Sequence, residues 1–252
     1  IALSRLIITK NKGASLAADV SHSRPHKVRE DNDFDVLNEF EKSCRQIAKA
    51  INAEKLIGEI EVKKGDARNL KVISNSSIDS IITSPPYLNA LDYMRGHKLS
   101  LVWLGHTINS LTAIRGSSVG AEKAPNKSAN IIQAKYIVRQ IQNFENLPVR
   151  IKSMVYRYSL DMDNIVRESS RVLKKNRHAT FVIGNSSLKG VYIDNTLIAE
   201  EAAYEYGLKL IDAKEREIPP NKRYLPPPNG ATNTGLNARM RTETIMTFKK
   251  VK

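Results

Sequence analysis

Between residues 33 and 51 the apolar positions Phe34, Leu37, Phe40, Cys44, Ile47 and Ile51 recur every three or four residues, which is the period of a helix with one buried face. Asn32 and Asp33 are its expected caps, and Cys44, on the apolar stripe, reads as a small core residue. The rhythm changes at Ile60-Glu61-Val62, a short strand. It changes again near Ile78, where the polar pair Asp79-Ser80 is followed by the β-branched run Ile81-Ile82-Thr83, which predicts a buried strand of the parallel kind. Pro85 and Pro86 stop that strand, because neither can donate to a ladder and each fixes its own φ. Residues 149–175 return to the helical period, with Ile151, Met154, Val155, Tyr158, Met162, Ile165, Val166, Val172 and Leu173 on one face. Residues 178–185 then read as a buried strand ending in Gly184-Asn185, with Asn185 or Ser186 lining a cleft. Residues 195–206 read as a helix stopped by Gly207, and residues 208–218 and 242–249 as two further strands. Helices alternating with strands in this way predict an α/β fold.

The pattern weakens over residues 105–148, which are polar, basic and turn-rich around Arg115 and again from Glu122 to Ser128. A stretch of this kind is a possible inserted loop or a segment that reads a target. Before it, Leu99, Leu101 and Trp103 read as helix core and His97 as a structural histidine.

Composition narrows the picture. A chain of 252 residues with 41% apolar content can bury an ordinary core, and no apolar run approaches the roughly 20 residues of a membrane span. The first residues show no signal-peptide pattern. The single cysteine excludes a disulfide framework or a cysteine-rich zinc site and fits a reducing cytoplasm. His22 and His26 are four apart, but Pro25 between them opposes a helix and no third ligand is evident, so no metal site is expected. The formal charge of +14, from 40 Lys and Arg against 26 Asp and Glu, points to a polyanionic partner.

The chemistry concentrates at Thr83-Ser84-Pro85-Pro86-Tyr87. A rigid turn at the carboxyl end of a strand is where open α/β sheets place their ligands. This run resembles the catalytic motif of the amino-methylating, S-adenosylmethionine-dependent DNA methyltransferases, Asp/Asn/Ser-Pro-Pro-Tyr/Phe, in which the Ser form accompanies cytosine N4 modification. The block after it, from Leu88 to Gly105, is similar to the segment downstream of the motif in one subgroup. The resemblance implies a Rossmann-like class I methyltransferase sheet and a site-specific enzyme of a restriction-modification type system. That enzyme moves a methyl group from S-adenosylmethionine to the exocyclic amine of a DNA base turned out of its helix, cytosine N4 before adenine N6. It implies Ser84, Pro85, Pro86 and Tyr87 as catalytic residues, with acceptors for the amine N–H groups at Ser84 and a stacking ring at Tyr87. Lys64-Gly65-Asp66-Ala67 resembles the segment beside the cofactor's adenine, which puts Asp66, Ala67 and Thr83 on the cofactor. Tyr93, Arg95, Lys98, Arg115, Lys222 and Arg223 are the expected nucleic-acid contacts.

The same family carries a glycine-rich turn, Asp/Glu-x-Phe-x-Gly-x-Gly, and this chain contains no Gly-x-Gly. The resemblance therefore spans residues 60–252 of a single catalytic portion, 1–252, apparently lacking the first strand units. A second polypeptide or a missing segment supplying that turn is the expectation. Two other readings are an RNA methyltransferase acting on guanine N2 of tRNA, where Asp is favoured at the position of Ser84, and a non-catalytic DNA-binding subunit.

Overall fold

The computed structural model describes residues 1–7, 14, 31–53, 57–88, 93–120, 138, 141, 143–189, 191–218 and 242–252. The span 1–252, read from the sequence as one portion, divides into two compact units: residues 1–63 with 92–115, and residues 64–91 with 116–252.

The first unit is helical. It holds α1 (Ser4–Ile7), α2 (Val36–Asn52), α3 (Tyr93–Trp103) and most of α4 (Ile108–Ser117). Helix α2 begins later than expected because Asp35, not Asn32 or Asp33, caps it by accepting from the Asn38 amide. Cys44 is exposed, contrary to its expected place in a core. The buried position is its neighbour Ser43, since α1 meets α2 on that side and Ser43 Oγ lies 3.5 Å from the Ala2 carbonyl. Trp103 closes α3 and is 67% exposed where helix core was expected. In this unit the buried apolar residues among those described are Leu6, Ile7 and Leu111. Residues 60–62 form no strand. Ile60 and Val62 are exposed, and no neighbouring chain among the described residues gives them a ladder.

The second unit is built on a four-stranded mixed sheet in the order β1-β2-β6-β5. Its strands are β1 (Ile78–Thr83), β2 (Leu173–Ile183), β5 (Leu208–Glu217) and β6 (Thr242–Lys250), with a small β3 (Ser186–Leu188) and β4 (Val191–Ile193) hairpin beside it. Strand β1 runs parallel to β2, as its β-branched run predicts, while β6 is antiparallel to both β2 and β5. A parallel pair requires a crossover, and much of it here is α5 (Val149–Val172), whose last residue leads straight into β2. The expected helix end at 175 therefore falls inside β2. Between β4 and β5 stands α6 (Asn195–Glu205), capped by Asp194 and closed by Gly207 at φ 69.

Period-two alternation places Ala179, Phe181 and Ile183 of β2 with Met246 and Phe248 of β6 in one core. Tyr158, Met162 and Ile165 of α5 and Ile198 and Ala202 of α6 complete it. Strand β1 departs from expectation in one respect. It is an edge strand, pairing only with β2 among the described residues, and Ile82 is 81% exposed rather than buried. No described helix is long and apolar enough to cross a membrane.

Candidate active site

Ser84 leaves the carboxyl end of β1 exposed to solvent, while Pro85 behind it is buried. Its hydroxyl donates to the Val182 carbonyl of β2 at 3.1 Å and lies 3.2 Å from the Tyr87 hydroxyl. Tyr87 in turn donates to Glu243 Oε2 at 2.7 Å, and Glu243 Oε1 accepts from Arg216 Nε at 2.7 Å. Glu243 and Arg216 are paired residues on β6 and β5. The far end of the turn is anchored in the core, with Leu88 only 1% exposed. Ser186 Oγ donates to the Leu88 carbonyl at 2.7 Å. Asn195, fully buried, donates to the Gly184 carbonyl at 2.8 Å and to Ser186 Oγ at 2.9 Å, and Asn185 accepts from the Asn195 amide. The loops after β1 and β2 are thus clasped together. Asn185 and Ser186, read from the sequence as cleft-lining residues, act in that clasp.

Asp66 and Ala67 are exposed on a tight turn closed between Asp66 and Asn69. The turn is held from within by Arg68. Asp66 Oδ1 accepts from the Arg68 amide at 2.9 Å and from its Nε at 3.0 Å, and Oδ2 accepts from Nη2 at 2.8 Å. Arg68 also reaches Asp161 Oδ1 on α5 at 2.9 Å and the Ser117 carbonyl at 2.7 Å. Asp161 Oδ2 accepts from the Gly120 amide at 3.1 Å and faces Arg157 Nε at 3.6 Å. Two helical turns further on, on the same face of α5, Glu168 accepts from the Leu70 amide and pairs with Arg171. Arg171 in turn donates to the carbonyls of Leu70 and Ile73. The segment from Asp66 to Ile73 is therefore fastened to α5 at two charged stations.

These contacts set the titration behaviour. The Arg68 guanidinium holds the Asp66 carboxyl below the usual carboxylate range, and Arg171 does the same for Glu168. Burial pushes the Tyr158 phenol well up, with the charges of Tyr87 and Asp161 adding to the effect, and its hydroxyl has no hydrogen-bond partner among the described residues.

The other expected residues are distributed differently. Thr83 is the last residue of β1 and half-buried. Lys98 on α3 and Arg115 in the last turn of α4 are exposed and belong to the first unit. Tyr93 and Arg95 lie in α3, though the structure describes only their backbone, and Lys222, Arg223, His22 and His26 lie outside the described residues. Among the described residues no cluster of three or more His, Cys, Asp or Glu side chains could hold a metal ion. Reading the sequence missed Glu243, Arg216, Arg68, Asp161 and Glu168. The one available signal was a pair of acids seven apart, Asp161 and Glu168, on the buried face of an amphipathic helix.

No protein-family model matches the chain. Type II methyltransferase M.MvaI of Kocuria varians is 25% identical over 211 residues, covering 74% of this chain and 43% of its own length. Type II methyltransferase M.BsoBI of Geobacillus stearothermophilus is 26% identical over 181 residues, covering 60% and 35%. The curated relatives are type II methyltransferases. Among solved structures, the cytosine-N4-specific PvuII DNA methyltransferase aligns with a TM-score of 0.41 at 15% identity, over 74% of this chain and 48% of that one. The chain spans less than half the length of the curated relatives it matches. They lend no support to the expected second polypeptide.

Proposed function

We propose that this chain carries the amine-activating centre of an S-adenosylmethionine-dependent DNA methyltransferase of a restriction-modification type system, with cytosine N4 as its target before adenine N6. The observation that carries the reading is the exposed Ser84 hydroxyl at the carboxyl end of β1, held between Val182 and Tyr87 on a two-proline turn. The type II methyltransferase relatives support the same reaction class.

An exocyclic amine shares its lone pair with the aromatic ring and is a poor nucleophile. Ser84 Oγ can accept one of its N–H groups, and the backbone carbonyl of the Ser84-Pro85 segment can accept the other. Acceptors fixed before the reaction favour the pyramidal, localised nitrogen of the transition state over the flat ground state. The Tyr87 ring, tethered through its hydroxyl, offers a face to the base. S-adenosylmethionine supplies a methyl group on a sulfonium, so nitrogen–carbon bond formation accompanies carbon–sulfur cleavage and the surplus amine proton passes to solvent.

The exposed turn at Asp66 is the proposed contact to the adenine of that cofactor. Both Asp66 oxygens accept from Arg68, Oδ1 from its amide and Nε and Oδ2 from its Nη2 and, at 3.3 Å, its Nε, so an adenine amino group would share this exposed carboxylate with Arg68. Ala67 and Thr83 complete the proposed cofactor contacts. Tyr93, Arg95, Lys98, Arg115, Lys222 and Arg223 are the proposed contacts to nucleic acid, in keeping with the net charge of +14.

The test is transfer of labelled methyl from S-adenosylmethionine to DNA by the full-length protein, with the modified base identified after digestion. N4-methylcytosine is the expected product. Ser84→Ala lowers turnover by about 10²–10³-fold with DNA affinity retained. Undiminished turnover in Ser84→Ala overturns the assignment.

A further inference from the structure

We infer that Glu243 is a positioning residue that keeps Ser84 Oγ free as an acceptor by drawing the Tyr87 hydroxyl proton away from it. The inference rests on the methyl-transfer reading above and adds to it a residue far from the motif in sequence.

The number of protons decides the arrangement. Tyr87 Oη has a single hydrogen, and Glu243 Oε2 at 2.7 Å and Ser84 Oγ at 3.2 Å both lie within reach of it. A carboxylate only accepts, and it accepts more strongly than a hydroxyl. The proton therefore goes to Glu243. Ser84 also has one hydrogen, which the Val182 carbonyl accepts at 3.1 Å. With both protons committed, the lone pairs of Ser84 Oγ remain for an incoming N–H group. Arg216 completes the arrangement, since its Nε binds the other Glu243 oxygen at 2.7 Å and orients the carboxylate from the adjacent strand. The Glu243 side chain is 15% exposed, which limits competition from water.

Removing the carboxylate releases the Tyr87 proton. Ser84 Oγ, 3.2 Å away, is then in a position to receive it, and a hydrogen bond from Tyr87 occupies one lone pair and weakens the other. Glutamine does not restore the arrangement: its amide oxygen turns to Arg216 and its NH₂ faces the phenol, which again leaves the phenol proton to Ser84.

The experiment compares four full-length proteins in single-turnover methyl transfer at saturating DNA: wild type, Glu243→Ala, Tyr87→Phe and the double variant. Glu243→Ala is slower by roughly 30-fold or more with KM for DNA little changed, as expected for loss of a group acting in the transition state. Tyr87→Phe keeps the ring and removes the offending proton. The double variant is accordingly no slower than Tyr87→Phe alone and faster than Glu243→Ala. A double variant as slow as Glu243→Ala, or slower, overturns the inference. The ¹³C resonance of Tyr87 Cζ provides a readout independent of turnover, and it shifts upfield in Glu243→Ala when the donated bond to carboxylate is lost. A wild type that transfers no methyl group overturns the proposed function instead. The Cζ resonance then decides the inference by itself, and no shift refutes it.

Discussion

Two loops of the second unit serve the proposed chemistry, and they are fastened by different forces. The turn over residues 84–88 is held at its far end by burial and neutral bonds: Pro85 and Leu88 in the core, Ser186 on the Leu88 carbonyl, and Asn195 binding Gly184 and Ser186. The loop over residues 65–69 buries little and is held by charge, through Arg68 between Asp66 and Asp161. The difference suits the role proposed for each. A group that meets the reacting nitrogen has to be placed to within a few tenths of an ångström, and a packed turn supplies that placement. A loop that admits and releases a cofactor must open at modest cost, and ion pairs near the surface permit this more readily than packing does.

Each loop can be broken separately. The largest expected effect is that of Asp161→Ala, which leaves Arg68 and Arg157 without their shared carboxylate in a site where all three side chains are at most 20% exposed. Loss of stability by about 3 kcal/mol is expected, read from denaturant unfolding, together with faster amide exchange over residues 66–73 than over residues 84–88. Equal exchange in both segments would end the distinction between them.

Asn195→Ala acts on the other loop. It strips hydrogen bonds from the buried Gly184 carbonyl and from Ser186, at a cost of about 2 kcal/mol. It loosens residues 84–88 while the Asp66 loop keeps its protection. Limited proteolysis with cleavage-site mapping distinguishes the two patterns.

Acid gives the smallest and most selective effect. Asp66 and Glu168 titrate below their unfolded values because of Arg68 and Arg171. Their contribution is therefore complete above the unfolded pKa near 4 and is lost as pH falls through the lower folded value. Asp163, raised by burial, works in the opposite sense for global stability. Local amide exchange between about pH 5 and pH 2.5 should consequently show residues 66–73 opening first, with residues 84–88 following only at global unfolding. Simultaneous opening would mean that the ion pairs do not hold the loop.

The legible part of the site was its local part. The strand ending at Thr83, the turn made by Pro85 and Pro86, and the exposure of Ser84 follow from β-branching and from the chemistry of proline, which act over a few residues. Strands 208–217 and 242–250 and the helix closing at Gly207 were readable for the same reason. Ile60 and Val62 have strand composition but no ladder among the described residues, and composition cannot supply one. Cys44 and Trp103 were misplaced because an apolar stripe reveals that a face is apolar, and says nothing about whether a neighbour arrives to cover it.

The sequence by itself determined the α/β alternation, the rigid serine-bearing turn, the acidic turn at Asp66 and the excess of positive charge, since each depends on residue type and short spacing. Only the tertiary structure decided that β1 stands at a sheet edge, that Arg68 reaches Asp161 across 93 positions, and that Glu243 takes the Tyr87 proton across 156. Those contacts depend on strand order and register, which bring together side chains whose separation along the chain carries no periodic signal.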